Sequence, residues 1–117
     1  MRRNWDLIRA VLLKIEELPT VHDTLESDGL PTFDNDTVAY HMELLLNAGL
    51  IEGVCYKAVG PPRCSATQLT WDGHEFLDAV RRDTIWNKIK ETAKEKGLDL
   101  TIDVVKVTAK SVIAGFL

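Results

Sequence analysis

Residues 36–71 constrain the fold most, because a helix, a glycine turn and a pair of strands follow one another there with almost no loop. Apolar residues at helical spacing predict a helix over residues 36–48, namely Val38, Met42, Leu45 and Leu46. Gly49 follows it, and glycine commonly ends helices. "LIEGVCYK" and "SATQLTW" then predict two strands, because the Gly-Pro-Pro of "AVGPPR" forms a turn between them. We therefore expect a helix that passes directly into a β-hairpin.

Helices account for most of the remaining sequence. Residues 4–18 carry a stripe of apolar side chains at helical spacing and predict an amphipathic helix. Residues 72–82 and 84–96 predict two further helices by the same criterion. Residues 20–34 have weak periodicity with one Gly and one Pro. We expect that segment to be irregular, with room for a short strand or a helical turn.

The last stretch, residues 98–117, contains many β-branched residues, which favour strands. Its charges instead share one narrow stripe of an α-helix: Asp99, Asp103, Lys106 and Lys110. A helix with so narrow a polar face is mostly buried. We therefore predict a helix that packs back on its own domain or pairs with a second subunit.

This order of elements predicts a fold class. The expected chain is mainly α with a small β-hairpin, which places it in the α+β class. A helix, a two-stranded wing and a further helix are typical of a winged helix-turn-helix-like domain. We assign that domain to residues 1–82, and we assign residues 83–117 to a C-terminal helical extension.

Composition limits the classes of protein that are compatible with the sequence. The chain has 117 residues, of which 45% are hydrophobic and 27% charged, as in one globular domain. Apolar runs are too short to cross a membrane, and charges interrupt the N-terminal segment where a signal peptide would be apolar. Cys55 and Cys64 are too few for a disulfide scaffold. We therefore predict a cytoplasmic protein in which both cysteines are free thiols.

Charge is distributed unevenly along the chain, whose net charge is −4. Residues 19–53 contain no Lys or Arg, but they contain seven acids: Asp23, Glu26, Asp28, Asp34, Asp36, Glu43 and Glu52. A nucleic-acid-binding element normally carries a basic patch. The helix that a winged-helix protein would insert into DNA is therefore acidic in this sequence.

"TVAYHMELLLNAGLIEG" resembles the "TVSRHLKLLREAGLI" pattern of winged-helix repressors of the arsenical-repressor type. Val38, Leu44, Leu45 and residues 48–51 match as core and helix end, and His41 matches a His of the pattern. The resemblance covers about residues 36–76. It implies a shared scaffold in which residues 36–48 correspond to the recognition helix.

Two positions that are cationic in that repressor pattern differ here. Tyr40 replaces an Arg and Glu43 replaces a Lys. Helical spacing puts Asp36, Tyr40, Glu43 and Asn47 on one outward face. A carboxylate is repelled in a groove lined by phosphates. This face is therefore our candidate protein-interaction surface.

Three further blocks resemble a family of small bacterial and phage-encoded proteins that is catalogued only as a domain of unknown function. They are "RRNWDLIRAVLLKIEE", "VAYHMELLLNAGLIEG" and "LTWDGHEFLDAVRRDTIWNKIK", in this order. The resemblance covers residues 2 to about 97. It implies a winged-helix-like fold and a prophage or mobile-element context, and it brings no activity.

Catalytic and metal-binding patterns are absent from the sequence. His41 and His74 lack the spacings of zinc ligands, so we interpret them as packing or capping residues. No nucleophile or phosphate-binding motif occurs. We therefore expect no enzymatic activity, no metal, no cofactor and no small-molecule substrate. Trp71 closes the second strand, and we expect its side chain to be largely buried.

Two functional hypotheses remain open. The first is a module for protein–protein interaction or self-association, because an acidic surface suits a basic partner and aromatic residues such as Tyr40 suit protein interfaces. The second is a DNA-binding transcriptional regulator, acting as a monomer or a dimer, whose cations come from the wing and the first helix: Arg2, Arg3, Arg9, Lys57 and Arg63.

Overall fold

The computed structural model describes residues 1–57 and 59–116. Its helices are α1 (Trp5–Glu16), α2 (Asn35–Asn47), α3 (Trp71–Val80), α4 (Asp83–Glu95) and α5 (Ile102–Phe116), and its strands are β1 (Leu25–Glu26), β2 (Ile51–Tyr56) and β3 (Arg63–Leu69). The predicted α+β class is confirmed. None of the described helices is long and apolar enough to cross a membrane.

The described residues divide into two compact units, Met1–His74 and Glu75–Leu117. In the first unit, α1 and α2 pack together and against the sheet. The apolar stripes of the two helices form its core: Leu7, Ile8, Val11, Leu12 and Ile15 of α1, and Val38, Ala39, Met42 and Leu45 of α2. In the second unit α4 packs on α5. The assignment of residues 1–82 and 83–117 to separate roles stays a prediction.

The sheet is antiparallel, with the strand order β1-β3-β2. β2 and β3 form the predicted hairpin, and Cys55 lies directly opposite Cys64 in its register. β1 belongs to the segment that we expected to be irregular, and it pairs through only two residues, Leu25 and Glu26. So short a strand leaves no periodic signal, because its pairing depends on β3, which is distant in sequence.

Two local features of the helices differ from the sequence expectation. Trp71 is 79% exposed, so the prediction of a buried side chain is wrong. Leu69 is the last buried residue of β3, and the Thr70 hydroxyl accepts a hydrogen bond from the Gly73 N–H at 3.0 Å. This bond starts α3 one residue earlier than expected and turns Trp71 outward. The C-terminal helix is confirmed, although it begins at Ile102 and leaves Asp99 before it. The expectation that it is mostly buried is wrong: the buried residues in its described part are Val105, Thr108, Ala109 and Val112.

Candidate interaction surfaces

A cleft of about 690 Å³ lies between the segment before α2 and the beginning of β3. Its carboxylates come from the acidic part of the chain: Glu26, Asp28, Asp34 and Asp36. Phe33, Pro61 and Pro62 add apolar surface, and Arg63 is the cation among the lining residues. The cleft therefore combines negative charge with apolar surface.

Local hydrogen bonds order the acidic segment around this cleft. The Asp34 carboxylate accepts from both the N–H and the hydroxyl of Thr37 at 3.1 Å, which caps α2. Ser27 is buried and exchanges hydrogen bonds with the Cys64 main chain: its N–H donates to the carbonyl at 2.9 Å, and its hydroxyl accepts from the N–H at 3.2 Å. These hydrogen bonds therefore fix the main chain near Asp34 and near Ser27, on two sides of the cleft.

The structure separates the four residues of the predicted α2 face. Asp36 and Asn47 are exposed, and Asp36 alone among the four lines the cleft. Tyr40 is only half-buried rather than exposed, because its ring lies edge-on to His41 and its hydroxyl lies 3.5 Å from the Met1 carbonyl oxygen. Glu43 forms an ion pair with Lys57.

The ion pair between Glu43 and Lys57 joins a residue of the predicted interaction face to one of the predicted DNA contacts. Lys57 directly follows β2, and Glu43 lies on α2. Each charge is neutralised by the other within the same unit. Lys57 is therefore less available for a phosphate, and Glu43 contributes less to the acidic surface than the sequence indicates.

The other predicted DNA contacts lie at the N-terminus, on α1 and at the start of β3. Arg2 and Arg3 are exposed at the N-terminus, and the Arg3 guanidinium lies 5.3 Å from the centre of the Trp5 ring. Arg9 is half-buried on α1. Arg63 is exposed, but it lines the acidic cleft.

His41 is fully buried and connects α1 to α2. Its Nε2 accepts a hydrogen bond from the Asn4 N–H at 2.7 Å, so Nδ1 carries the ring proton and donates to the Thr37 carbonyl oxygen at 2.8 Å. His22 and His74 are exposed. Within the described residues, no three His, Cys, Asp or Glu side chains come together as metal ligands would.

Cys55 and Cys64 form a disulfide, so the expectation of free thiols is wrong. The hairpin register places the two residues directly opposite each other. The Cys64 main chain bonds to Ser27 and not to Cys55, which defines a pair that is not hydrogen-bonded and brings the side chains close together. The number of cysteines in the sequence could not predict that the strand register would place these two opposite each other.

Reduction of the disulfide is expected to lower the free energy of unfolding by about 2 kcal/mol. The bond restricts the unfolded chain to a short closed loop, and the reduced chain regains that conformational entropy when it unfolds. Cys55 and Cys64 are nine positions apart in the sequence. The midpoint of thermal unfolding, followed by circular dichroism, should fall by about 8 °C when a phosphine reductant is added. A double variant, Cys55→Ala with Cys64→Ala, should not respond to the reductant. Equal midpoints for the oxidised and reduced native chain would contradict this expectation.

Sequence reasoning missed the exposed apolar side chains on β2. Val54 is 51% exposed and Tyr56 is 62% exposed. The signal was present, because side chains alternate along a strand, and Ile51 is buried while Val54 and Tyr56 lie on the opposite face. The burial of β2 alternates without a break from Ile51 to Tyr56, and the extra residue of the bulge, Thr67, lies on β3.

Comparison with known proteins assigns the chain to a family. Residues 2–99 match the family model described as "Hypothetical protein (DUF2513)", and the chain belongs to this family, as the resemblance to a domain of unknown function predicted. A protein of Haemophilus influenzae described as "Uncharacterized protein" is 47% identical over 117 residues, which cover 100% of this chain and 99% of the relative. No solved structure matches the chain.

Proposed function

We propose that this protein is a non-enzymatic interaction module whose acidic cleft receives a basic segment of a protein partner. The observation that carries the proposal is the cleft itself, whose lining combines four acidic residues and Arg63 with apolar surface from Phe33 and two prolines. Lysine and arginine side chains combine a cationic head with an apolar stem, and such a cleft suits both parts. Electrostatic complementarity would steer the partner and fix its orientation.

The scaffold of this module is, in our proposal, winged-helix-like. The order α1, β1, α2, β2, β3 and α3 supports it, with α2 in the position of a recognition helix. The Glu43–Lys57 ion pair favours a protein partner over DNA, since it leaves Lys57 of the proposed wing less available to bind a phosphate. We further propose a prophage or mobile-element context, and no cofactor, metal or small-molecule substrate. We also propose a cytoplasmic location, which the Cys55–Cys64 disulfide opposes, because disulfides are rare in that compartment.

A peptide titration tests the cleft. A fluorescein-labelled peptide of about 12 residues, with Lys and Arg alternating with Ala and Leu, should bind the native chain and weaken as salt is added. Reversing two exposed charges of the cleft, Asp28→Lys with Asp36→Lys, should lower the affinity at least about tenfold in fluorescence anisotropy. Both positions line the cleft.

The matched control reverses two exposed acids of the second unit, Glu95→Lys with Asp99→Lys. It changes the net charge by the same amount, so its affinity should stay close to that of the native chain. Equal losses in the two double variants would show that net charge alone attracts the peptide. That result, or the absence of binding by the native chain, would contradict the proposal.

A DNA-binding regulator is the second candidate, and the element order together with the exposed Arg2, Arg3 and Arg63 favours it. The same anisotropy assay with random-sequence duplex DNA at low salt separates the two functions. Our proposal expects no binding. Binding that falls steeply with salt and is weakened by Arg63→Ala would support the regulator instead.

A further inference from the structure

The outer edge of β2 is unpaired in the described part of the chain. β3 lies at the centre of the sheet, and β2 forms one edge of it. Cys55 and Cys64 are a pair without mutual main-chain hydrogen bonds, because the Cys64 main chain bonds to Ser27 on the other side. The Cys55 N–H and carbonyl therefore point away from β3, toward the free edge. An edge of this kind is a template for another strand.

The side chains beside this edge lack the usual protection against strand pairing. β2 contains no Lys and no Pro, and its exposed face carries Val54 and Tyr56. Lys57 follows the strand, but its side chain is held by Glu43 on α2. The bulge lies opposite the beginning of β2, where the extra residue, Thr67, belongs to β3, and it leaves β2 itself regular from Gly53 to Tyr56.

We propose that this edge pairs with the β2 edge of a second copy of the chain. An antiparallel pair with its two-fold axis at Cys55 lets the two Cys55 residues exchange N–H to carbonyl hydrogen bonds. Val54 of each copy then lies opposite Tyr56 of the other, which forms two aromatic–β-branched pairs on the exposed face. The three strands of each copy join into one continuous sheet.

Charge and symmetry both favour a second copy as the occupant. The whole chain carries −4, but residues 48–62 contain only Glu52 and Lys57, so their net charge is zero. Two copies can therefore approach along this strip without the repulsion that the acidic cleft would create. The strip is also self-complementary, as a two-fold interface requires. This interface is distinct from the cleft, and its test does not depend on the proposed basic partner.

Mass measurement by analytical ultracentrifugation tests this interface over a concentration range of roughly 5 to 500 µM. The native chain should change from monomer to dimer within that range. Val54→Lys places a charge on the edge and should leave a monomer at every concentration. Val21→Lys is the matched control, because Val21 is 84% exposed and lies outside the sheet, and it should dimerise as the native chain does.

Hydrogen exchange gives a second measurement on the native chain. The Cys55 amide should exchange slowly at high concentration and faster on dilution, while buried amides of α1 stay unchanged. A native chain that is monomeric throughout would overturn the proposal and leave the edge for a strand of another protein. A dimer that survives Val54→Lys would also overturn it, since residues 98–117 or another surface would then hold the copies together.

Discussion

Replacing Gly73 with alanine is expected to lower the free energy of unfolding by about 3 kcal/mol, because the first turn of α3 lies directly on the main chain of Leu50. A Cβ atom at residue 73 would lie 1.9 Å from the Leu50 carbonyl oxygen and 3.3 Å from the Leu69 Cβ. The Leu50 carbonyl cannot retreat easily, since it also accepts a hydrogen bond from the Thr70 N–H at 3.0 Å. Urea unfolding followed by circular dichroism measures the loss.

Gly115→Ala provides the matched control for this substitution. Gly115 lies in α5, and a Cβ atom there would have no neighbour within 4 Å. Alanine is the better helix former, so this variant should be neutral or more stable by up to about 1 kcal/mol. If the free energy of unfolding of Gly73→Ala also lay within about 0.5 kcal/mol of the native value, the inferred close approach of α3 to Leu50 would be wrong.

Replacing His41 with alanine is expected to cost about 3 kcal/mol, because it leaves a cavity and removes a polar link between two helices. His41 is fully buried, and its ring accepts a hydrogen bond from the Asn4 N–H. Asn4 also caps α1, where its side chain accepts from the Leu7 N–H at 3.1 Å. Loss of the ring therefore frees the residue that starts α1. The same urea titration reports the effect.

Two further histidine variants separate the causes of this loss. His41→Leu keeps most of the volume but lacks both nitrogens, so it should lose about 1 to 2 kcal/mol. His22→Ala removes an exposed ring and should stay within about 0.5 kcal/mol of the native chain. If His41→Ala behaved like His22→Ala, the buried hydrogen bonds of His41 would contribute nothing to stability.

The ion pair between Glu43 and Lys57 gives a physical reason for the acidic residue on α2. In the repressor pattern the position of Glu43 is cationic, and a carboxylate there is unfavourable for DNA binding. In the structure Glu43 instead joins α2 to the end of β2. Both side chains are partly exposed, so the pair contributes at most about 1 kcal/mol. Its larger consequence is that Lys57, at the end of β2, is less available for a phosphate.

The sequence predicted most of the fold because local patterns determine it. The apolar stripes of α1, α2 and α4 and the glycine after α2 required no knowledge of distant residues. Gly49 indeed has a φ of 75°, as the end of a helix often requires. The family was also recognisable from three blocks of sequence, and the comparison over residues 2–99 confirms it.

The candidate surfaces were predicted less well, because they depend on pairs of residues that are far apart in sequence. The helical face of Asp36, Tyr40, Glu43 and Asn47 was inferred from spacing alone. Spacing does not reveal that Lys57 reaches Glu43 or that the Tyr40 ring lies against His41. The sequence shows that residues 19–53 are acidic. It does not show that four of these acids line one cleft, because Pro61 and Pro62 of the hairpin turn form another part of the lining.

What the sequence by itself determined is therefore the type of each main element, the hairpin and the sign of the charge along the chain. These properties follow from side chains within a few positions of one another. Only the tertiary structure decided the pairing of β1, the Cys55–Cys64 disulfide, the exposure of Trp71 and the free edge of β2. The β1 pairing and the disulfide depend on strand register, where a shift of one residue exchanges the buried and exposed faces of a strand. The free edge depends on strand order, and the exposure of Trp71 depends on where α3 begins.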